Sequence, residues 1–449
     1  MGAYDNLKVE LTEMTISNGI HIAEKEVQEY KNKIVYVNAD IACAGAIVFE
    51  NCEIHYNAIP GTSCQITLEE GSTLHIKNCR VLCENPNENP LFKDDGATSV
   101  IIQDSVFEDC SYFIEKYNGE GGSFVLQGCE IIDPYIRFLD LNDVDEVSIS
   151  NCLITFTKPL NEDDDNYDSI FYSSHWSKTD YATVREVVVN GNHLMNVKDE
   201  EGYFKKNNYI LDMEYASYMN CTFENANGCI RDAGTISHCK FNQCVQVIDN
   251  EFYKKEGNIV HCIFEECESV IACDNTNISH CQFVKCMNSL IKSAYTGNVN
   301  VEYCEFYNMK YTDSRFLSAC LSFYRAKGNE YGPSTVKKCI FNGAELNESF
   351  LLAGHTNDKI KGMSLYVEEC RFQNCRTKRE SGKIIKCYDT YINFFKRQIQ
   401  IEVTSVQKCV GLDKVNKENG YIQDVVIRAA DHNGAVIGAA ADGFAVTRR

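Results

Sequence analysis

A chain of 449 residues is long enough for two or three ordinary domains, or for one elongated stack if it is built from repeats. Its formal charge of −21 excludes broad binding to nucleic-acid phosphates, which needs clustered Lys and Arg, and favours basic partners instead. The composition combines 24 Cys with only 6 Pro and 1 Trp, and no apolar run reaches the roughly 18 residues of a membrane-crossing helix.

The N-terminal residues Met1-Gly2-Ala3-Tyr4-Asp5-Asn6-Leu7-Lys8 lack the basic start and apolar run of a secretory leader, so a reducing, cytoplasmic setting is expected. In such a setting the cysteines stay as thiols. Residues 23–30, Ala23-Glu24-Lys25-Glu26-Val27-Gln28-Glu29-Tyr30, predict a short helix. It falls within an expected N-terminal cap over residues 1–33.

From residue 34 to 410 the chain repeats itself. The early copies read Cys52-Glu53-Ile54, Cys79-Arg80-Val81, Ser105-Val106-Phe107, Cys129-Glu130-Ile131 and Cys152-Leu153-Ile154. After Cys221-Thr222-Phe223 the unit sharpens to C-x-F-x-x-C, in His238-Cys239-Lys240-Phe241-Asn242-Gln243-Cys244, His261-Cys262-Ile263-Phe264-Glu265-Glu266-Cys267 and His280-Cys281-Gln282-Phe283-Val284-Lys285-Cys286. It returns at Cys304-Glu305-Phe306, Cys339-Ile340-Phe341 and Cys370-Arg371-Phe372-Gln373-Asn374-Cys375. The central copies lie about 20 residues apart, and wider gaps hold polar inserts that bulge out as loops. Within a unit, apolar and polar residues alternate, as in Val147-Ser148-Ile149-Ser150-Asn151-Cys152-Leu153-Ile154, which is the period of a strand with one face inside.

Short strands and turns repeated at this spacing fit a leucine-rich horseshoe or a β-helix, and leucine is not the recurring residue. The expected fold is therefore all-β: a right-handed, single-stranded parallel β-helix with Cys, Phe and Ile ladders in its core. A stacked coil puts each inward residue above its counterpart, where cysteine is small and apolar enough to nest. Packing explains a cysteine in nearly every coil better than metal binding does, since one metal site needs its ligands in one place. No metal and no cofactor is expected. His238, His261 and His280 should form a vertical row on the outer face, where they act as a solvated stripe.

On these repeat motifs, such as Asn258-Ile259-Val260-His261-Cys262-Ile263-Phe264, the chain resembles the right-handed parallel β-helix repeat proteins, whose fold is shared by pectate lyases, polygalacturonases and many bacterial proteins. The resemblance covers residues 34–410 and implies architecture; the fold hosts many activities. Enzymes of that kind carry paired carboxylates, a calcium site or a basic residue in a groove outside one sheet. The nearest match is Lys93-Asp94-Asp95-Gly96, so Asp94 and Asp95 are the catalytic candidates of an enzyme reading, with Asp104 and Asp109 further along. The separated Asp pairs, His-Gly and Arg-x-Lys of polygalacturonases are not found. Arg137 and Arg231 lie within coils with no carboxylate cluster beside them in sequence. Asp163, Asp164, Asp165 and Asp168 read as a solvated insert, and His355 with Asp358 as a loop.

Past Cys409 the pattern breaks, and residues 411–449 are expected to form a cap strand and an Ala/Gly-rich tail. Val436, Ile437, Phe444 and Val446 are its candidate partner-binding anchors, because a solenoid edge invites association unless it is covered. The leading functional expectation is a non-enzymatic, bacterial-type scaffold that binds another protein through a flat β-face, the inserted loops or the tail. It involves no nucleic acid and no membrane, and end-to-end or tail-mediated oligomers are open to it. The alternatives are a polysaccharide lyase or glycoside hydrolase of the β-helix type, and an acidic rod imitating DNA.

Overall fold

The computed structural model describes residues 10–56, 64–84, 90–110, 112–116, 120–134, 137–157, 169–175, 181–191, 209–250, 256–288, 290–293, 298–310, 319–325, 334–346, 349–355, 365–373, 376–377, 383–389, 399–407, 416–418, 425–430 and 436–438. Every regular element among them is a β-strand. The chain divides into two compact units, residues 1–234 and 235–449. Each is a right-handed parallel β-helix.

In the N-terminal unit each coil contributes three short strands, and every strand pairs in parallel with its counterpart one coil away. One ladder runs Thr12–Ile16, Lys33–Val37, Glu53–Tyr56, Arg80–Cys83, Val106–Glu108 and on to Thr222–Glu224. A second runs from Val27–Lys31 through Ala46–Glu50 and Thr73–Lys77 to Ser217–Met219. The third runs from Ile20–Ile22 through Phe92–Asp94, Ile114–Lys116, Leu139–Asn142, Phe171–Ser174 and Leu211–Met213 to Ile230–Arg231. The C-terminal unit repeats the plan, and its long strand Leu365–Gln373 pairs with both Ser334–Lys337 and Ile340–Asn342, so two of its ladders share a strand.

The helix expected over residues 23–30 does not form. Ala23 and Glu26 close a turn, with Lys25 left-handed at φ 70°, and Val27–Lys31 is a strand. Local helix propensity yields to pairing with Ala46–Glu50 and to burial of Tyr30, whose ring stacks on Phe49 at 5.0 Å. Gly45 permits the close approach: a Cβ there would lie 2.3 Å from the Glu26 carbonyl oxygen. The segment expected as a cap thus runs in the ladders from Thr12 onward. At the other end, Val436–Gly438 pairs antiparallel with Val425–Ala430, which places Val436 and Ile437 in a terminal strand. Phe444 and Val446 lie outside the described residues, as do Asp163, Asp164, Asp165, Asp168 and Asp358.

One corner of each coil explains the residue before each ladder cysteine. Asn32, Asn51, Asn78, Asp104, Asn151 and Asn220 are all left-handed, with φ between 49° and 55°. Asn and Asp tolerate that region better than most L-residues do, and Asn51 and Asn78 each donate a side-chain hydrogen bond to the Asn one coil back, at 3.2 and 3.3 Å. In the C-terminal unit His238, His261, His280, Tyr303 and Lys338 hold the same corner, at φ 53–55°.

The cysteine that follows does more than fill space. The Cys262 thiol donates to the Val260 carbonyl at 3.4 Å and lies 3.7 Å from that of Ile236, and Cys281 repeats the pattern on Ser279 and Ile259. Ser105, standing where its neighbours have cysteine, donates to the Gln103 carbonyl at 2.7 Å and accepts from the Cys79 amide at 3.1 Å. Small size and a donor are thus what the position asks for. Cys262→Ser should change stability by no more than about 1 kcal/mol, the worth of one such hydrogen bond. Cys262→Leu should cost about 1–3 kcal/mol through overpacking, and urea midpoints of the two variants check the contrast.

Candidate functional site

The third ladder places Asp94 and Asp95 apart. Alternation along Phe92–Asp94 turns Asp94 inward, where it is 4% exposed, opposite the fully buried Lys116 of the next coil. Its carboxylate lies 3.4 Å from the Lys116 ammonium, accepts from the Thr98 hydroxyl at 2.7 Å and accepts from the Gly96 amide at 3.1 Å. Lys116 also donates to the Gly96 carbonyl. Burial raises the Asp94 pKa against these stabilising partners. Asp95, past the strand end, sits 3.4 Å from Lys93. Asp104 and Asp109 occupy left-handed corners at φ 49° and 52°.

Two other clusters in this unit come from stacking. The register sets Arg80 against Glu53, and Tyr36, His55, Leu82 and Glu108 in one row. Arg80 grips Glu108 with two parallel hydrogen bonds of 3.0 and 2.7 Å and reaches Glu53 at 3.5 Å. The two ring nitrogens of His55 lie 2.6 Å from Glu84 and 2.8 Å from Glu53, and its ring stacks on Tyr36 at 4.7 Å. Three carboxylates, a guanidinium and an imidazole thus share one outer face.

The second cluster lies on the outer face of the third ladder, where Asp140, Tyr172, Asp212 and Arg231 are in register on consecutive coils. Asp140 is 7% and Asp212 6% exposed, although both face away from the coil interior. Arg137 stands 3.7 Å from Asp140, which also accepts from the Asn142 amide at 3.0 Å. Arg231 stands 3.7 Å from Asp212, which accepts from the Ser169 hydroxyl at 2.7 Å, and the guanidinium also sits over the Tyr209 ring at 5.7 Å. Burial, and then the nearby carboxylates of Asp212, Asp140 and Glu214, push the Tyr172 pKa up against a hydrogen bond with Ser174. A phenol flanked by two Asp and two Arg can hold a hydroxyl-rich or carboxylated ligand.

In the C-terminal unit the three histidines form a column. His238, His261 and His280 are exposed, their rings 5.0 Å apart; Tyr303 continues the stack at 5.0 Å, and Lys338 lies over the Tyr303 ring at 5.0 Å. Among the described residues, no group of three or more His, Cys, Asp or Glu is placed to hold a metal ion. No helix among them is long and apolar enough to cross a membrane.

Glu53, His55, Arg80, Glu108, Asp140 and Asp212 were not singled out in the sequence. The signal was available for the first four. With Cys52, Cys79 and Ser105 superposed, Glu53 meets Arg80, and Leu82 meets His55 and Glu108. Comparison with protein-family models and with curated proteins returns no match for this chain.

Proposed function

We propose that this protein is a non-enzymatic, cytoplasmic interaction platform, with a second protein as its partner. The observation that carries this reading is the mutual engagement of its outward charges along the stack. Arg80 is held by Glu53 and Glu108, His55 by Glu53 and Glu84, Asp212 by Ser169 and Arg231, and Lys285 by Glu266 at 3.0 Å. Groups fixed in this way present a rigid pattern to a docking surface. Cysteines that are mostly buried among the described residues suit a reducing compartment, and the charge of −21 favours a basic partner. Inserted loops and the terminal strand with Val436 and Ile437 offer further contacts.

A second reading, a β-helix carbohydrate-active enzyme akin to pectate lyases, is favoured by the buried row of Asp140, Tyr172, Asp212 and Arg231. One experiment separates the two. The full chain and its Arg80→Glu and Asp212→Asn variants are incubated with neutral and acidic polysaccharides, and separately immobilised and exposed to cell extract. The platform reading expects no polymer shortening and one protein retained by the wild type but lost with Arg80→Glu. Polymer cleavage that disappears with Asp212→Asn would overturn it in favour of the enzyme.

A further inference from the structure

The corner before each ladder cysteine carries different chemistry in the two units. In the N-terminal unit its side chains satisfy one another, the Asn51 amide donating to Asn32 at 3.2 Å and the Asn78 amide to Asn51 at 3.3 Å. In the C-terminal unit the same left-handed corner holds His238, His261 and His280, each at φ 55°. All three are exposed, and among the described residues neither ring nitrogen of any of them takes part in a hydrogen bond or ion pair with the protein. The backbone beneath them is pinned: the amides of His238, His261 and His280 donate to the carbonyls of Val260, Ser279 and Glu302, all at 3.1 Å. The ring centroids therefore repeat at 5.0 Å from His238 to His261 and again from His261 to His280, with planes tilted by 26° and 33°.

We propose that this column binds one divalent transition-metal ion, with Zn²⁺ as its reference ion, through the imidazoles of His261 and one neighbour, His238 or His280. Imidazole nitrogen suits zinc, nickel and copper, and two nitrogens on a tetrahedral zinc, each at about 2.0–2.1 Å, stand about 3.3 Å apart. Rings with centroids 5.0 Å apart reach that separation by tilting toward each other, and exposed side chains turn about χ1 and χ2 without disturbing the core. The three rings do not converge on one point. His238 and His280 are two steps of 5.0 Å apart, beyond the roughly 4.2 Å that two Zn–N bonds span even end to end. His261 is thus common to every pair, and the ion keeps its other positions for water. Bound in this way it ties consecutive coils together across the corner, in the place of the side-chain hydrogen bonds between the Asn residues of the other unit. The net charge of −21 draws cations to the surface, while the nitrogen donors select against magnesium and calcium, which take oxygen.

Isothermal titration of the reduced full chain with zinc chloride tests this, with the His238→Asn/His261→Asn/His280→Asn variant as the blank for every other site. Asn is the replacement because it holds this corner in the N-terminal unit, at φ 54° in Asn51 and Asn151, so the coils stay folded. The wild type should bind one ion more than the blank. His261→Asn should weaken that site by about 10²-fold or more, because only single imidazoles remain, whereas His238→Asn and His280→Asn should each weaken it about twofold, because one of two pairs remains. Magnesium chloride should show no difference between the wild type and the blank. Zinc binding by the wild type equal to the blank would overturn the proposal. So would equal weakening by all three single substitutions, the mark of independent single-histidine binding, or a site kept intact in His261→Asn.

Discussion

Lys116→Met is expected to destabilise the N-terminal unit by about 3–5 kcal/mol, because it leaves the Asp94 carboxyl buried without its cation. Both side chains face the coil interior, 0% and 4% exposed, in a ladder flanked by Leu68 on one side and Leu141 on the other, with Ser173 and Met213 beyond. The double replacement Asp94→Leu/Lys116→Met extends that apolar ladder and should recover the loss, ending near the wild type or up to about 1–4 kcal/mol above it. The pH dependence follows from Asp94. Its folded pKa is raised by burial, so its contribution is present below the unfolded value of about 3.9 and is lost as the pH climbs through the raised folded value. At neutral pH the ionised carboxyl therefore costs stability, and the advantage of the double variant over the wild type should widen from pH 4 to pH 7. Urea denaturation of the wild type, the single and the double variant across that range checks both points. A single variant as stable as the wild type would show that Asp94 finds its stabilisation in Thr98 and Gly96 alone.

The architecture was legible in the sequence because every coil has the same neighbours, so one packing solution is written out again and again. Cys262, Cys281 and Cys304 with their partner phenylalanines state it most plainly. The helix expected at residues 23–30 failed for the opposite reason: its Glu and Lys carry local propensity, whereas the strand there depends on Phe49 and Gly45, which only the next coil supplies. The cluster around Tyr172 was hidden by segments of unequal length: Tyr172 and Asp212 meet across a coil boundary but are separated in sequence by residues 173–211. Glu53 and Arg80 also meet across a coil boundary, and superposing Cys52 on Cys79 brings them together. The inward turn of Asp94 was within reach of simple alternation from Phe92, but Lys93-Asp94-Asp95-Gly96 also reads as a polar turn. The left-handed corner decides what the residue before each cysteine must tolerate. That requirement accounts for Asn in one unit and His in the other better than any shared chemistry does.

Phe283→Ala should cost the C-terminal unit about 3–5 kcal/mol, the usual range for deleting a buried aromatic ring. Phe283 is 0% exposed and lies at the centre of a column in which Phe241, Phe264, Phe283, Phe306 and Phe341 stack at 4.5–5.0 Å with nearly parallel planes. Removing it breaks two ring contacts, each worth about 0.5–1.5 kcal/mol beyond burial, and leaves a cavity that its neighbours can fill only by abandoning register. Register is the constraint, because the strands Ile263–Glu265, Gln282–Val284 and Glu305–Tyr307 are pinned to one another by ladder hydrogen bonds on both sides. The void therefore persists and the loss should stay near the upper end of the range. Phe283→Leu retains most of the volume and should cost less than half as much. Hydrogen exchange read strand by strand should show the protection loss centred on those three strands and fading along the column in both directions. Uniform loss throughout the unit would mean that the coils open together rather than one at a time.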